Sequence, residues 1–202
     1  LQVRWLTTPG STRETGMWEK TFDTELCADS VEYEATSRSL AVGTYNLDKD
    51  TGIKTGRIYL FEEDLGSLKG FVDCDAVFDM KWVSQERLIV ATNQRHLALL
   101  DPSLMTLSYP NSVDNCICEA LLCVDNAHTC IVATGSLGNV HICDPVTLKV
   151  KEEFKAHELE TWSVAINGNA MYTGADDALF KQWDLRMDTK VPVRVSKAHG
   201  AG

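Results

Sequence analysis

Four cysteines near the middle of the chain, Cys116, Cys118, Cys123 and Cys130, form its densest set of metal-capable side chains. Their spacing follows no zinc-ligand pattern and several sit inside apolar runs. They read as small buried hydrophobes, and no metal is expected. The stretch "GSLG" at 135–138 sets a serine beside a glycine, but it lacks the hydrolase nucleophile elbow and reads as a hairpin turn. The sequence has no H-E-x-x-H pair and no phosphate-binding loop. What remains able to move a proton or hold a ligand is a scatter of acids, aromatics, a serine and two histidines. Asp29, Ser30, Asp79, Glu160, Phe78, Trp162, His157 and His199 stand far apart along the chain, so their chemistry depends on the elements that carry them.

Those elements belong to an ordinary globular chain. Of its 202 residues, 44% are hydrophobic and 24% charged, which excludes a disordered polymer. The formal net charge of -10 argues against nucleic acid and anionic membrane as partners and favours a cationic one. No apolar run approaches the length of a membrane span, and no signal-peptide core is present. Seven cysteines without a framework read as reduced thiols of cytosol or nucleus. Residues 1–21 show no period and are read as a tail, disordered or an artefact of where the sequence was cut.

From there the chain repeats itself. "YTGADDALFKQWD" (172–184) reads as strand, tight turn and alternating strand, closing on an acid. "IVATGSLGNVHICD" (131–144) and "LIVATNQRHLALLD" (88–101) follow the same plan, and "LAVGTY" with "GRIYLFE" follows it across a longer insertion. The closing acids Glu62, Asp101, Asp144 and Asp184 stand 39, 43 and 40 residues apart. A period of about 40 residues built from short strands is that of a β-propeller blade. Each blade is a small sheet that cannot bury both faces alone, so blades stack around a channel. The expected fold is therefore all-β. It is an incomplete propeller of about four blades, at about 27–62, 75–101, 116–144 and 157–184, with a fifth starting at 198.

The last complete unit runs from Ala156-His157 to Trp183-Asp184, and Ala198-His199 opens the next one. This resembles the WD-repeat family, whose units open on Gly-His and close on Trp-Asp. The resemblance implies a structural hydrogen-bonded tetrad of His157, Thr173, Asp177 and Trp183, in which buried polar groups satisfy one another. On that reading His157 and Asp177 staple a blade and do no chemistry. Where the family has a turn glycine this chain has Ala178, and another turn type is expected there. The other units carry Cys143, Leu100 and Phe61 in place of Trp183, so the tetrad is expected complete in one blade.

More specific stretches follow in order: "FDTELCADSVE", "LAVGTY", "GRIYLFE", "FDMKW", "FKAHELETWSVAI", "YTGADDALFKQWDLR" and "SKAHGAG". In that order they resemble the WD-repeat diphthine methylesterases, also called diphthine methyltransferases, over about 22–202. The resemblance implies a cytoplasmic hydrolase without a cofactor. Its partner would be elongation factor 2, whose modified histidine, methylated diphthine, loses one methyl ester during diphthamide biosynthesis. The competing reading is a non-catalytic WD-repeat scaffold, supported by the lack of any recognisable triad.

The resemblance does not identify the reacting residues, so they are sought by chemistry. Ester hydrolysis needs a base for the attacking water, and a trimethylammonium group favours an aromatic face beside a carboxylate. Aligned as the innermost strands of successive blades, Asp29, Phe78 and Trp162 take equivalent positions near one rim, with Glu160 two residues before Trp162. Trp162, Glu160 and Phe78 are therefore substrate-binding candidates, and Glu160, Asp29 and His199 candidate bases. Ser30 and Asp79 lie beside Asp29 and its equivalent, Phe78. Packing between blades is the competing role for the aromatics, and solvated rim charge for the acids. For His199 it is the staple of a fifth blade.

Overall fold

The computed structural model describes residues 2–7, 18–62, 67–94, 97–110, 119–187 and 191–197. Among these residues the only regular elements are strands, and no helix is long and apolar enough to cross a membrane. Four antiparallel sheets follow in chain order. Blade 1 holds β3 (Cys27–Glu34), β4 (Ser39–Leu47), β5 (Lys54–Glu62) and β6 (Ser67–Cys74). Blade 2 holds β7 (Val77–Ser84), β8 (Arg87–Thr92), β9 (Leu97–Asp101) and β10 (Thr106–Ser108). Blade 3 holds β11 (Leu121–Ala127), β12 (Cys130–Gly135), β13 (Asn139–Cys143) and β14 (Val150–Lys155). Blade 4 holds β15 (Thr161–Asn167), β16 (Ala170–Ala175), β17 (Phe180–Asp184) and β18 (Arg194–Ser196). In each sheet the fourth strand lies beyond the closing acid. The segment read as a tail pairs as well: β1 (Gln2–Thr7) runs antiparallel to β2 (Trp18–Asp23).

Stacking explains the sequence pattern. β8 and β12 are near-continuous apolar runs because a neighbouring blade covers each face. Leu88 and Val90 pack with Ile58 and Leu60 of blade 1, whereas Ile89 and Ala91 pack with Ile131 and Ala133 of blade 3. Val132 and Val140 turn the other way, onto Met171 and Trp183 of blade 4. Burying such a side chain stabilises by about 1.5–3 kcal/mol. β16 is different. Met171 is buried, but Tyr172 and Phe180 stack on each other, centroids 5.9 Å apart, on a face left open among the described residues. By register they take the positions of Val132 and Val140, which are fully buried between blades. The open face has the pattern of a seat for another blade.

The turns hold a correction. Ala178 does not escape the left-handed region by changing turn type: it sits at φ 60, where the equivalent Gly138 sits at φ 84. Both turns close alike, Ala178 N–H donating to Ala175 O and Gly138 N–H to Gly135 O, each at 3.1 Å. In blade 4 the staple enforces the geometry, since Leu179 N–H donates to Asp177 Oδ1 at 3.0 Å. The Cβ strain is therefore retained. Ala178→Gly is expected to raise stability by about 0.5–1 kcal/mol, the relieved strain exceeding the extra freedom of an unfolded glycine. The shift in denaturant midpoint checks it.

Blade 3 replaces the tetrad with a pair that the sequence did not announce. Glu119 Oε1 lies 2.8 Å from His141 Nε2, both side chains buried, and Leu137 N–H donates to Glu119 Oε2. The acid comes from the segment entering the blade and the histidine from the sheet, which reverses the blade 4 arrangement. A Cβ on Gly135 would collide with the Glu119 side chain, so the glycine makes room for the staple.

Candidate functional site

The inner strands β3, β7, β11 and β15 each carry a β-bulge at the same point, between Ala28 and Ser30, Val77 and Asp79, Leu121 and Cys123, and Thr161 and Ser163. The extra residues are Asp29, Phe78, Leu122 and Trp162. A bulge turns its side chain out of the alternation, which is how a strand presents a residue at a rim. Facing them at the same sheet ends stand Tyr45, Asn93, Ser136 and Asp176. Together these residues stand at one end of the four inner strands, the mouth end of the blades.

The four bulge residues have different fates. Leu122, absent from the sequence-based candidates, is buried. Phe78 is half-buried, tilted against Tyr45 at 5.5 Å, with the Lys54 ammonium 6.0 Å from its ring centre. Its face is thus already engaged from within the protein. Trp162 is 48% exposed, and its indole N–H donates to Asp176 Oδ2 at 3.1 Å. Glu160 is half-buried, and among the described residues its carboxylate has no hydrogen bond or ion pair; its carbonyl accepts from Asp176 N–H at 3.0 Å. Asp176 is accordingly the carboxylate that meets Trp162, fourteen residues away in a different strand connection.

Asp29 faces solvent at the mouth. Partial burial first, and the Asp79 charge second, raise its carboxyl above the ordinary value of 3.8. Asp79 itself is tied down: it accepts from Ser30 Oγ at 3.4 Å, Met80 N–H at 2.9 Å, Cys123 Sγ at 3.0 Å and Val124 N–H at 2.9 Å. Burial and the Asp79 charge push the Cys123 thiol up to about 12, so it stays a donor and not a thiolate nucleophile. Deeper in the wall Lys81 reaches Glu32 at 3.1 Å and Asp125 at 4.0 Å, and Asp125 accepts from Ile166 N–H at 2.8 Å. Acids on one inner strand thereby bind donors on the next, and the channel wall is predominantly negative.

The histidine of blade 4 is fully engaged. His157 Nδ1 lies 3.0 Å from both Asp177 oxygens and Nε2 lies 2.8 Å from Thr173 Oγ1, which accepts from Trp183 Nε1–H at 2.9 Å. Burial outweighs the attraction of Asp177 and lowers the His157 pKa, while hydrogen bonds outweigh burial and lower that of Asp177. Both shifts describe a neutral imidazole donating to a carboxylate. Neither ring nitrogen is left for catalysis. His199, Cys116 and Cys118 lie outside the described residues, and among those described no three His, Cys, Asp or Glu side chains are grouped to hold a metal. The sequence reading missed Asp176, Leu122 and Tyr45, which only register places at the mouth.

A chain of the crystal structure of the mitotic checkpoint complex superposes with a TM-score of 0.69 at 17% identity, over 89% of this chain and 53% of that one. The computationally designed Ika4 protein superposes with a TM-score of 0.64 at 12% identity, over 80% of this chain and 92% of the design. With the WD-type tetrad in blade 4, the fold is part of a WD-repeat β-propeller. No family model matches the chain. It is 29% identical to the diphthine methyltransferase of Schizosaccharomyces pombe, over 94% of this chain and 62% of that protein. It is likewise 29% identical to that of Mus musculus and 28% to that of Homo sapiens, over 89% and 91% of this chain. The chain spans 47% and 52% of those two relatives. These three relatives bear the name of the family that the chain's motifs resemble.

Proposed function

We propose that the protein is a cytoplasmic carboxylic ester hydrolase that removes the methyl ester from methylated diphthine on elongation factor 2, a step of diphthamide biosynthesis. The observation that carries this reading is the likeness to three diphthine methyltransferases along about nine-tenths of the chain. The mouth supplies suitable chemistry. Trp162 offers an open aromatic face for the trimethylammonium arm, and the negative channel wall attracts it. Asp29, with its raised pKa, is the base: it takes a proton from a water whose oxygen attacks the ester carbonyl. The proton then passes to the departing methoxide, leaving methanol and a free carboxylate.

Mass spectrometry of elongation factor 2 from cells lacking the full-length protein tests the reading. Accumulated methyl-ester diphthine supports the hydrolase. Normal diphthamide would leave the non-catalytic scaffold, with the mouth serving only to bind a partner.

A further inference from the structure

At the sheet-end position that faces the bulge, blade 4 carries a charge that the other three blades lack. At the position of Asp176 they have Tyr45, Asn93 and Ser136, all uncharged. Asp176 is also bound to the one exposed aromatic among the bulge residues, with Oδ2 3.1 Å from Trp162 Nε1. That bond fixes the tilt of the indole, and an N–H shared with a carboxylate enriches the ring in electron density. Both side chains open into a groove of about 400 Å³. Its apolar floor, Tyr172 and Phe180, occupies blade-seat positions, which leaves the polar mouth end as the ligand-facing part. The equivalent aromatic, Phe78, shows what such a rim ring attracts: it has the Lys54 ammonium 6.0 Å from its centre. Among the described residues no cation covers Trp162.

We propose that Asp176 is a positioning and specificity-determining residue. It holds the Trp162 indole in place and supplies the counter-charge for a quaternary ammonium group resting on that ring. A cation without N–H donors cannot compete for the carboxylate oxygen that the indole occupies, so both interactions act at once. The proposal deepens the diphthine reading in naming the group that recognises the substrate's cationic arm, and it rests on that reading only for the identity of the natural ligand.

The test uses the full-length protein and two probes: choline, and 3,3-dimethyl-1-butanol as its neutral isostere. The readout is the indole N–H resonance of Trp162, assigned by its loss in Trp162→Phe. Choline is expected to shift that resonance, and the isostere to leave it in place. Asp176→Asn keeps the shape without the charge and is expected to weaken choline binding about 3- to 10-fold, with the fold intact by circular dichroism. On an ester substrate bearing the quaternary amine, Asp176→Asn and Trp162→Ala are expected to raise KM more than they lower kcat. Trp162→Ala costs tens of fold in kcat/KM at most, and an ester lacking the amine loses nothing. Equal response to choline and its isostere, or unchanged choline binding in Asp176→Asn, overturns the subsite. Choline binding as expected, with no ester turnover by the unmodified protein, keeps the subsite and removes the hydrolase.

Discussion

Asp29→Asn in the full-length protein is expected to slow methyl ester hydrolysis by about 100-fold or more, the usual worth of a positioned base. The fold should survive. Asp29 faces solvent, and its raised pKa means that the folded state disfavours its charge, through burial first and Asp79 second. Removing that charge leaves the melting temperature unchanged or slightly higher. A second signature separates a base from a binding group. Activity that needs ionised Asp29 falls as pH drops through its raised pKa, and this acid limb disappears in Asp29→Asn. An unaltered rate, or an acid limb that persists in the variant, would move the base elsewhere on the rim.

His157→Ala should strike stability instead. The substitution leaves Asp177 and Thr173 without their partner at the blade edge, at a cost of about 1–3 kcal/mol. For a chain of this size that is a fall of several degrees in Tm, readable by thermal melting. The pH dependence has a definite sign. The folded pKa of His157 lies below the ordinary 6.5, so the unfolded chain binds the proton more readily and folding favours the neutral ring. Its contribution is complete above 6.5 and declines as pH falls below it. Asp177, also lowered, keeps its full contribution down to its ordinary 3.8 and loses it as pH falls further. Stability should therefore drop first as pH falls below neutrality, and His157→Gln should blunt that first drop. Unchanged melting together with lost esterase activity would overturn the staple and make His157 catalytic.

The staple and the rim acid Asp176 sit in one blade, Asp176 and Asp177 being adjacent, yet the structure keeps their roles apart. His157 and Asp177 lock the turn whose next residue, Ala178, bears the left-handed strain, while Asp176, one residue earlier, points its carboxylate to the rim. The staple fixes the connection between β16 and β17, and that connection carries the rim acid. Loss of His157 is thus expected to disturb Trp162 indirectly, which the choline-shifted resonance would register alongside the lower Tm.

Much of the architecture was legible in the sequence because the code for strands is local. Period-2 alternation, turn residues and closing acids repeat along the chain, and a period near 40 residues has few folded solutions. The stretches at 88–101, 131–144 and 172–184 could be read as one strand, turn and strand plan repeated. Alignment of the inner strands also brought Asp29, Phe78 and Trp162 to one level, since a bulge at a constant position preserves register from blade to blade. The pairing of side chains across that register was another matter. Trp162 meets Asp176 and not Glu160 because the bulge turns Trp162 out of the strand alternation, while the connection after β16 brings Asp176 back over the sheet end. Glu119 likewise finds His141, and Lys54 finds Phe78, each pair joining separate strands or blades. Sequence periodicity determined which residues lie in strands and at which end of the sheet. Only the stacking of blades, which chooses contacts by shape and by the need to satisfy buried polar groups, decided which of them touch.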